Sequence, residues 1–298
     1  MGQQDMSEKL LEDYNDVFAD IVNVLLFDGK ELVKPEDLAD AQPYSRYKAD
    51  DGKLHEQERD VAKYWRKGNM TIALCGIENQ TRVDNEMPFR IINYDGAAYR
   101  SQTMKKDGSP KHYPVVTLVL YFGEQEWNGP RKLSEGMDIP EEVKPYFQDY
   151  GINLFSICHL EESIIRKFKS DFGIVADYFA GFYKDREYRP KDERKFRHID
   201  AMLKFLAVVK RDERYVKEDF RNEKGEVGMC EILDRMEEKG IAKGIEQGIE
   251  KGTQNTLLDS LCNVMNGFKV SEKEAMDVLK ISEADRPFYH EALKKYRK

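Results

Sequence analysis

Asp60, Glu78 and Gln80 are the residues of this 298-residue chain whose types and spacing suit joint chemistry. Glu78, Asn79 and Gln80 end an apolar run that begins at Met70, and residues two apart on a strand point to one face. If the run from Arg59 pairs with it as a hairpin across Gly68-Asn69, Asp60 arrives at the same end. Two carboxylates and an amide then meet. That oxygen set suits Mg2+, which takes one or two protein carboxylates and keeps several waters. Such a cation lowers the pKa of its bound water and polarises a phosphate. The plain alternative is a solvated glutamate at a strand end, since an acid followed by ExQ often arises by chance.

Other chemistries find less support. Cys75, Cys158, Cys230 and Cys262 lie far apart and form no CxxC pair, so they read as reduced, buried thiols. The five histidines make no HxxxH or HExxH spacing, which argues against zinc. No apolar run approaches the roughly 18 residues of a membrane span. The start, MGQQDMSEKL, lacks the pattern of a secretory leader, and the expected location is cytoplasmic. The net charge of −8 is uneven: residues 1–60 hold 16 acids and 7 bases, leaving 40 acids and 41 bases in the rest. The total therefore does not exclude a nucleic acid after residue 60.

Elements that would position these residues follow from periodicity. Leu10, Leu11, Tyr14, Val17, Phe18, Ile21, Val24 and Leu25 fall three and four apart, predicting an amphipathic helix that ends near Gly29. Residues 31–53 read as loop or short turns, broken by Pro35, Pro43 and Asp51-Gly52. The β-hairpin comes next, with its second strand apolar enough to be buried on both faces. MPFRIINYDGAAYRSQTMKK reads as a helix with Pro88 in its first turn. After a turn at Gly108–Pro110, YPVVTLVLYFG reads as a strand, PEEVKPYFQDY as a short helix and INLFSICHL as a last strand. The order predicts an α/β core with a mixed sheet. Residues 161–219 read as helical. VSEKEAMDVLK opens a further helix with Ser271 and Glu274 as a capping box. The expected division is 1–228, a glycine-repeat helix or linker at 229–254, and a small helical tail at 255–298.

The ordered block of Asp60, then Glu78-Asn79-Gln80, the MPFR helix, the LYFG strand and Trp127 resembles the PD-(D/E)XK nuclease superfamily. Within it, the similarity is to bacterial recombination-promoting nucleases and putative transposases. It implies a restriction-endonuclease-like core and Mg2+-dependent hydrolysis of DNA phosphodiesters, with Mn2+ an alternative, in recombination or mobile elements. Asp60, Glu78 and Gln80 would be catalytic. Asp60, Glu78 and the Asn79 carbonyl would hold the metal. Gln80 stands where the superfamily usually has lysine, and glutamine cannot neutralise a developing phosphorane. Some relatives add an acid from the first helix, for which Asp13, Asp16 and Asp20 are candidates beside a plain reading as a solvated acidic stripe.

DNA is the implied partner. Arg82, Arg90 and Tyr94 are candidate contacts, because arginine grips phosphate with two N–H groups, although Arg90 would equally suit an ion pair with a core acid. Residues 181–217 carry 12 bases and 7 acids with interleaved aromatics, either a phosphate track or an ordinary charged surface. Gly240, Gly244, Gly248 and Gly252 each cost a helix roughly 1 kcal/mol, so close helix packing beside Ile241, Ile245 and Ile249 is expected to compensate, giving a homo-oligomer. The alternative function is a non-catalytic nuclease-fold protein that oligomerises or binds partners through this segment.

Overall fold

The computed structural model describes residues 11–41, 44–48, 54–58, 60–104, 112–190 and 192–296. Leu10, Pro43, Asp51-Gly52 and the expected turn at Gly108–Pro110 lie outside them. The chain divides into two compact units, Met1–Glu231 and Ile232–Lys298.

A 3-10 turn at Leu11–Asp13 precedes helix α1 (Asn15–Phe27). The helix buries Val17, Phe18, Ile21, Val22 and Val24, as their spacing requires. It stops where Asp28 and Gly29 adopt positive φ, 56° and 84°. The next stretch is more ordered than expected: it holds strands β1 (Leu38–Asp40) and β2 (Tyr44–Lys48), followed by β3 (Leu54–Glu58). Strand β1 is only three residues long and takes its order from a neighbour. β2 and β3 pair with each other in a separate two-stranded sheet.

Strands β4 (Val61–Lys67) and β5 (Met70–Gln80) form the expected antiparallel hairpin, with Gly68 at φ 59° in its turn. Helix α2 (Met87–Met104) then crosses to β6 (Val115–Tyr121), which lies parallel to β5, and β7 (Asn153–Ser156) adds in parallel to β6. A parallel neighbour needs such a crossover, and α2 supplies it. The sheet order is β1-β4-β5-β6-β7, so β5 is central, and it is buried from Ala73 to Glu78.

The pleat divides the side chains between two helical layers. Glu78 sits in register with Val119 and Gln80 with Tyr121, on the face where Met87, Ile91 and Tyr94 of α2 pack with Val119, Tyr121 and Trp127. On the opposite face Trp65 stacks near Phe27 of α1 at 6.0 Å, and the buried Lys63 lies over Phe18 while pairing with Asp40.

Further along, PEEVKPYFQDY forms only a 3-10 turn at Lys144–Tyr146, and INLFSICHL is a strand to Ser156, then a 3-10 turn. Helices α3 (Glu162–Ile165), α4 (Asp171–Lys184), α5 (Ile199–Lys210) and α6 (Arg214–Lys217) fill part of 161–219. Residues 185–190 and 192–198 are not helical, with Pro190 among them. Phe122, just past β6, packs edge-on against Phe179 of α4 at 5.4 Å and Phe205 of α5 at 5.2 Å. Helix α7 (Met229–Phe268) runs unbroken through all four repeat glycines. In the second unit, its Leu258 and Leu261 pack with Ala275 and Met276 of α8 (Glu272–Val278), Ile281, and Tyr289 and Leu293 of α9 (Arg286–Tyr296). Ser271 and Glu274 form the expected capping box. Among the described residues, no helix is long and apolar enough to cross a membrane.

Candidate active site at the end of strand β5

Because β4 starts where β5 ends, Asp60 lies beside Asn79, and the Asn79 backbone N–H donates to Asp60 Oδ2 at 2.6 Å. Glu78 is only 2% exposed. Its Oε1 accepts from Gln80 Nε2 at 3.2 Å and from the Arg90 guanidinium. The structure therefore brings Asp60, Glu78, Asn79 and Gln80 to one end of one strand.

Arg90, in the first turn of α2, faces inward. Besides Glu78 it donates to Asp84 Oδ2 at 2.9 Å and to the Tyr94 hydroxyl at 3.3 Å, one helical turn on. Burial disfavours the charged guanidinium, but Glu78, Tyr94 and Asp84 outweigh it and hold Arg90 above its ordinary pKa. Burial, and then the charge of Glu78, raise the Tyr94 hydroxyl as well. The Tyr94 ring is buried among Met87, Ile91, Val119 and Tyr121. Of the three candidate DNA contacts, Arg82 is exposed, Arg90 takes the ion-pair alternative and Tyr94 belongs to the core.

An acid that reaches this site from the first helical segment is Glu12, whereas Asp16 and Asp20 are engaged elsewhere. Asp16 receives His198 Nε2 at 2.9 Å, and His198 stacks on Tyr14 at 3.7 Å. Asp20 accepts the Lys169 and Ser170 backbone N–H groups at 2.8 and 2.7 Å, tethering the start of α4. Glu12 is fully buried, and among the described residues neither of its carboxyl oxygens has a hydrogen bond of ordinary geometry. Burial pushes its pKa up to about 7; the charge of Asp60 adds to the rise, and the Asn79 side chain offsets part of it. The Asn79 side-chain oxygen is also buried without a hydrogen bond. Glu12 also stands at helical spacing, four and eight residues before Asp16 and Asp20, so spacing alone did not separate it from them.

Five bases of the stretch 181–217 are held in ion pairs. Arg186 grips Glu124 with two bonds of 2.6 Å, Arg194 and Arg214 hold Asp192 and Asp212, and Lys195 and Lys217 pair with Glu231 and Glu213. Phe196 is buried. For those five bases the charged-surface alternative holds. A cavity of about 480 Å³ between α3 and α4 shares no residue with the Asp60–Glu78 cluster.

Among curated proteins and solved structures, no match to this chain is found. A family match does exist, over the segment that carries Asp60, the ExQ strand, α2, β6 and β7, and it is the group that the ordered motif block resembles. Residues 58–174 match the family described as "Putative transposase, YhgA-like".

Proposed function

We propose that this chain is a metal-dependent nuclease that hydrolyses DNA phosphodiesters, with a role in recombination or mobile elements. The observation that carries the reading is the placing of Asp60 at the Asn79 N–H and of Glu78 and Gln80 at the same strand end, with the buried Glu12 close to Asp60 and Asn79. Burial is the main cause of the raised Glu12 pKa, and the nearby charge of Asp60 adds to it.

The donor set fits a hard cation. Its atoms are oxygens, and those of Glu12 and the Asn79 side chain are buried without hydrogen bonds among the described residues. Among the described residues, no group of three or more His, Cys, Asp or Glu side chains is placed to hold a metal ion. Mg2+ and Mn2+ typically take only one or two protein carboxylates. Asp60 and Glu78 would hold the ion, with Glu12 adding charge when ionised. Bound there, the ion would supply an acidified water and polarise the phosphate. The chain's own part is positional: Arg90 and Gln80 fix the Glu78 carboxylate, and the Asn79 N–H fixes that of Asp60. Arg82 is exposed beside the strand end and suits a phosphate contact.

One observation favours the non-catalytic alternative: Arg90 already neutralises Glu78, and Gln80 brings no charge. Supercoiled plasmid incubated with the full chain and Mg2+ or Mn2+ decides between them. Cleavage that falls at least about 100-fold in both Asp60→Ala and Glu78→Ala supports the nuclease. Equal nicking by the wild type and both variants overturns it.

A further inference from the structure

Gln80 leaves the strand end without the cation that a lysine would place there, and Arg90 is committed to Glu78 and Asp84. A second arginine comes from far along the chain. Arg211 follows the last residue of α5, and its Nη2 donates to Oγ1 of Thr81, the residue directly after Gln80, at 3.4 Å. A bond of that length to a neutral hydroxyl is weak, and guanidinium has five N–H donors. Thr81 can therefore steer Arg211 without saturating it.

Three features favour Arg211. Among the described residues no carboxylate pairs with it, as with Lys184, Arg197 and Lys210, whereas Arg186, Arg194 and Arg214 each hold one. Its backbone is left-handed, φ 55° and ψ 43°, at a helix end where glycine is the usual choice. Asp28, Lys269 and Lys280 share that conformation, so it is the contact with Thr81 that distinguishes this one. Finally, α5 is fixed relative to the site. Phe122 packs on Phe205 of α5 and donates its N–H to the Gln80 carbonyl at 2.7 Å, while α5 also packs against the Leu11–Asp13 turn that carries Glu12.

We propose that Arg211 is a substrate-binding residue whose guanidinium grips a backbone phosphate of DNA laid across the end of β5, supplying the positive charge that Gln80 lacks. The inference rests on the DNA-nuclease reading for its substrate, and it assigns the phosphate contact to a residue outside the family-matched segment 58–174.

The test uses the full chain as wild type, Arg211→Ala, Arg211→Lys and Arg211→Gly, with binding to a labelled duplex measured by anisotropy in Ca2+ over a salt series. Loss of one charge-assisted phosphate contact weakens binding roughly 10- to 100-fold and lowers the salt slope by about one. Arg211→Lys keeps the slope with part of the affinity. Arg211→Gly suits the left-handed backbone, so it binds like Arg211→Ala while its unfolding midpoint does not fall. In plasmid cleavage, adding Gln80→Lys to Arg211→Ala restores activity. Arg211→Ala with unchanged affinity, salt slope and cleavage overturns the inference while wild-type cleavage keeps the nuclease reading. Binding that depends on Arg211 in a protein that never cleaves overturns the nuclease reading and keeps Arg211 as a phosphate ligand. A wild type that does not bind the duplex overturns both.

Discussion

Replacing Glu12 by glutamine should stabilise the metal-free protein, and by an amount that grows with pH. The Glu12 carboxyl moves from an ordinary 4.5 to about 7 on folding, chiefly through burial. Below pH 4.5 it is protonated in both states and contributes nothing pH-dependent. Between 4.5 and 7 the unfolded chain gives up this proton first, so the native state binds more protons and stability falls as pH rises. Above 7 both states are ionised and the loss levels off at about 3 kcal/mol, from 1.36 kcal/mol per pH unit. A glutamine amide does not titrate, so Glu12→Gln should gain about 3 kcal/mol over wild type at pH 8 and less than about 1 kcal/mol at pH 5. Urea unfolding in a chelator measures it, followed by the fluorescence of Trp65 and Trp127, which both report on the first unit. Parallel pH profiles for the two proteins would show that Glu12 is not held in a dry, acid-crowded place, and the reasoning would fail.

Two further outcomes test other parts of the structure. Arg90→Met leaves the buried Glu78 carboxylate without its cation, and a loss of about 2 kcal/mol is expected, discounted for the partly exposed guanidinium. In a double-mutant cycle with Glu78→Gln, a coupling below about 0.5 kcal/mol refutes the pair. A Cβ added at Gly240, Gly244, Gly248 or Gly252 meets nothing within 4 Å, so changing all four to alanine should add up to about 4 kcal/mol of helix stability, read by circular dichroism on heating. If the glycines also admit a second copy beside Ile241, Ile245 and Ile249, which are 57%, 58% and 65% exposed, sedimentation should show association in the wild type and less of it in the variant.

The hairpin, the crossover helix and the ExQ strand end were legible because their signals are local: an apolar run of strand length, a Gly-Asn turn, a proline in a first helical turn. The capping box at Ser271 was legible for the same reason. Strand β1 was not, since three residues become a strand only through the ladder that β4 offers. Arg90 was open to two readings from sequence because phosphate and carboxylate ask the same geometry of arginine; only the position of Glu78 across the layer gap decides which one it meets. Glu12 escaped for a related reason. It shares helical spacing with Asp16 and Asp20, and those two are taken by distant partners, Asp16 by His198 and Asp20 by the start of α4. Pairings across 150 residues and more leave no trace in local pattern.

The turn that carries Glu12 packs against α5, which begins at Ile199. As the chain is made from its N-terminus, that carboxylate is synthesised nearly 190 residues before the helix that lies against it. At roughly 5–20 residues per second, on the order of ten to forty seconds pass between the two, and the strands β4 to β7 are made in that interval. Contacts of such separation are slow to form, so the face of the Leu11–Asp13 turn that α5 covers closes only after the strands carrying Asp60 and Glu78 have been made.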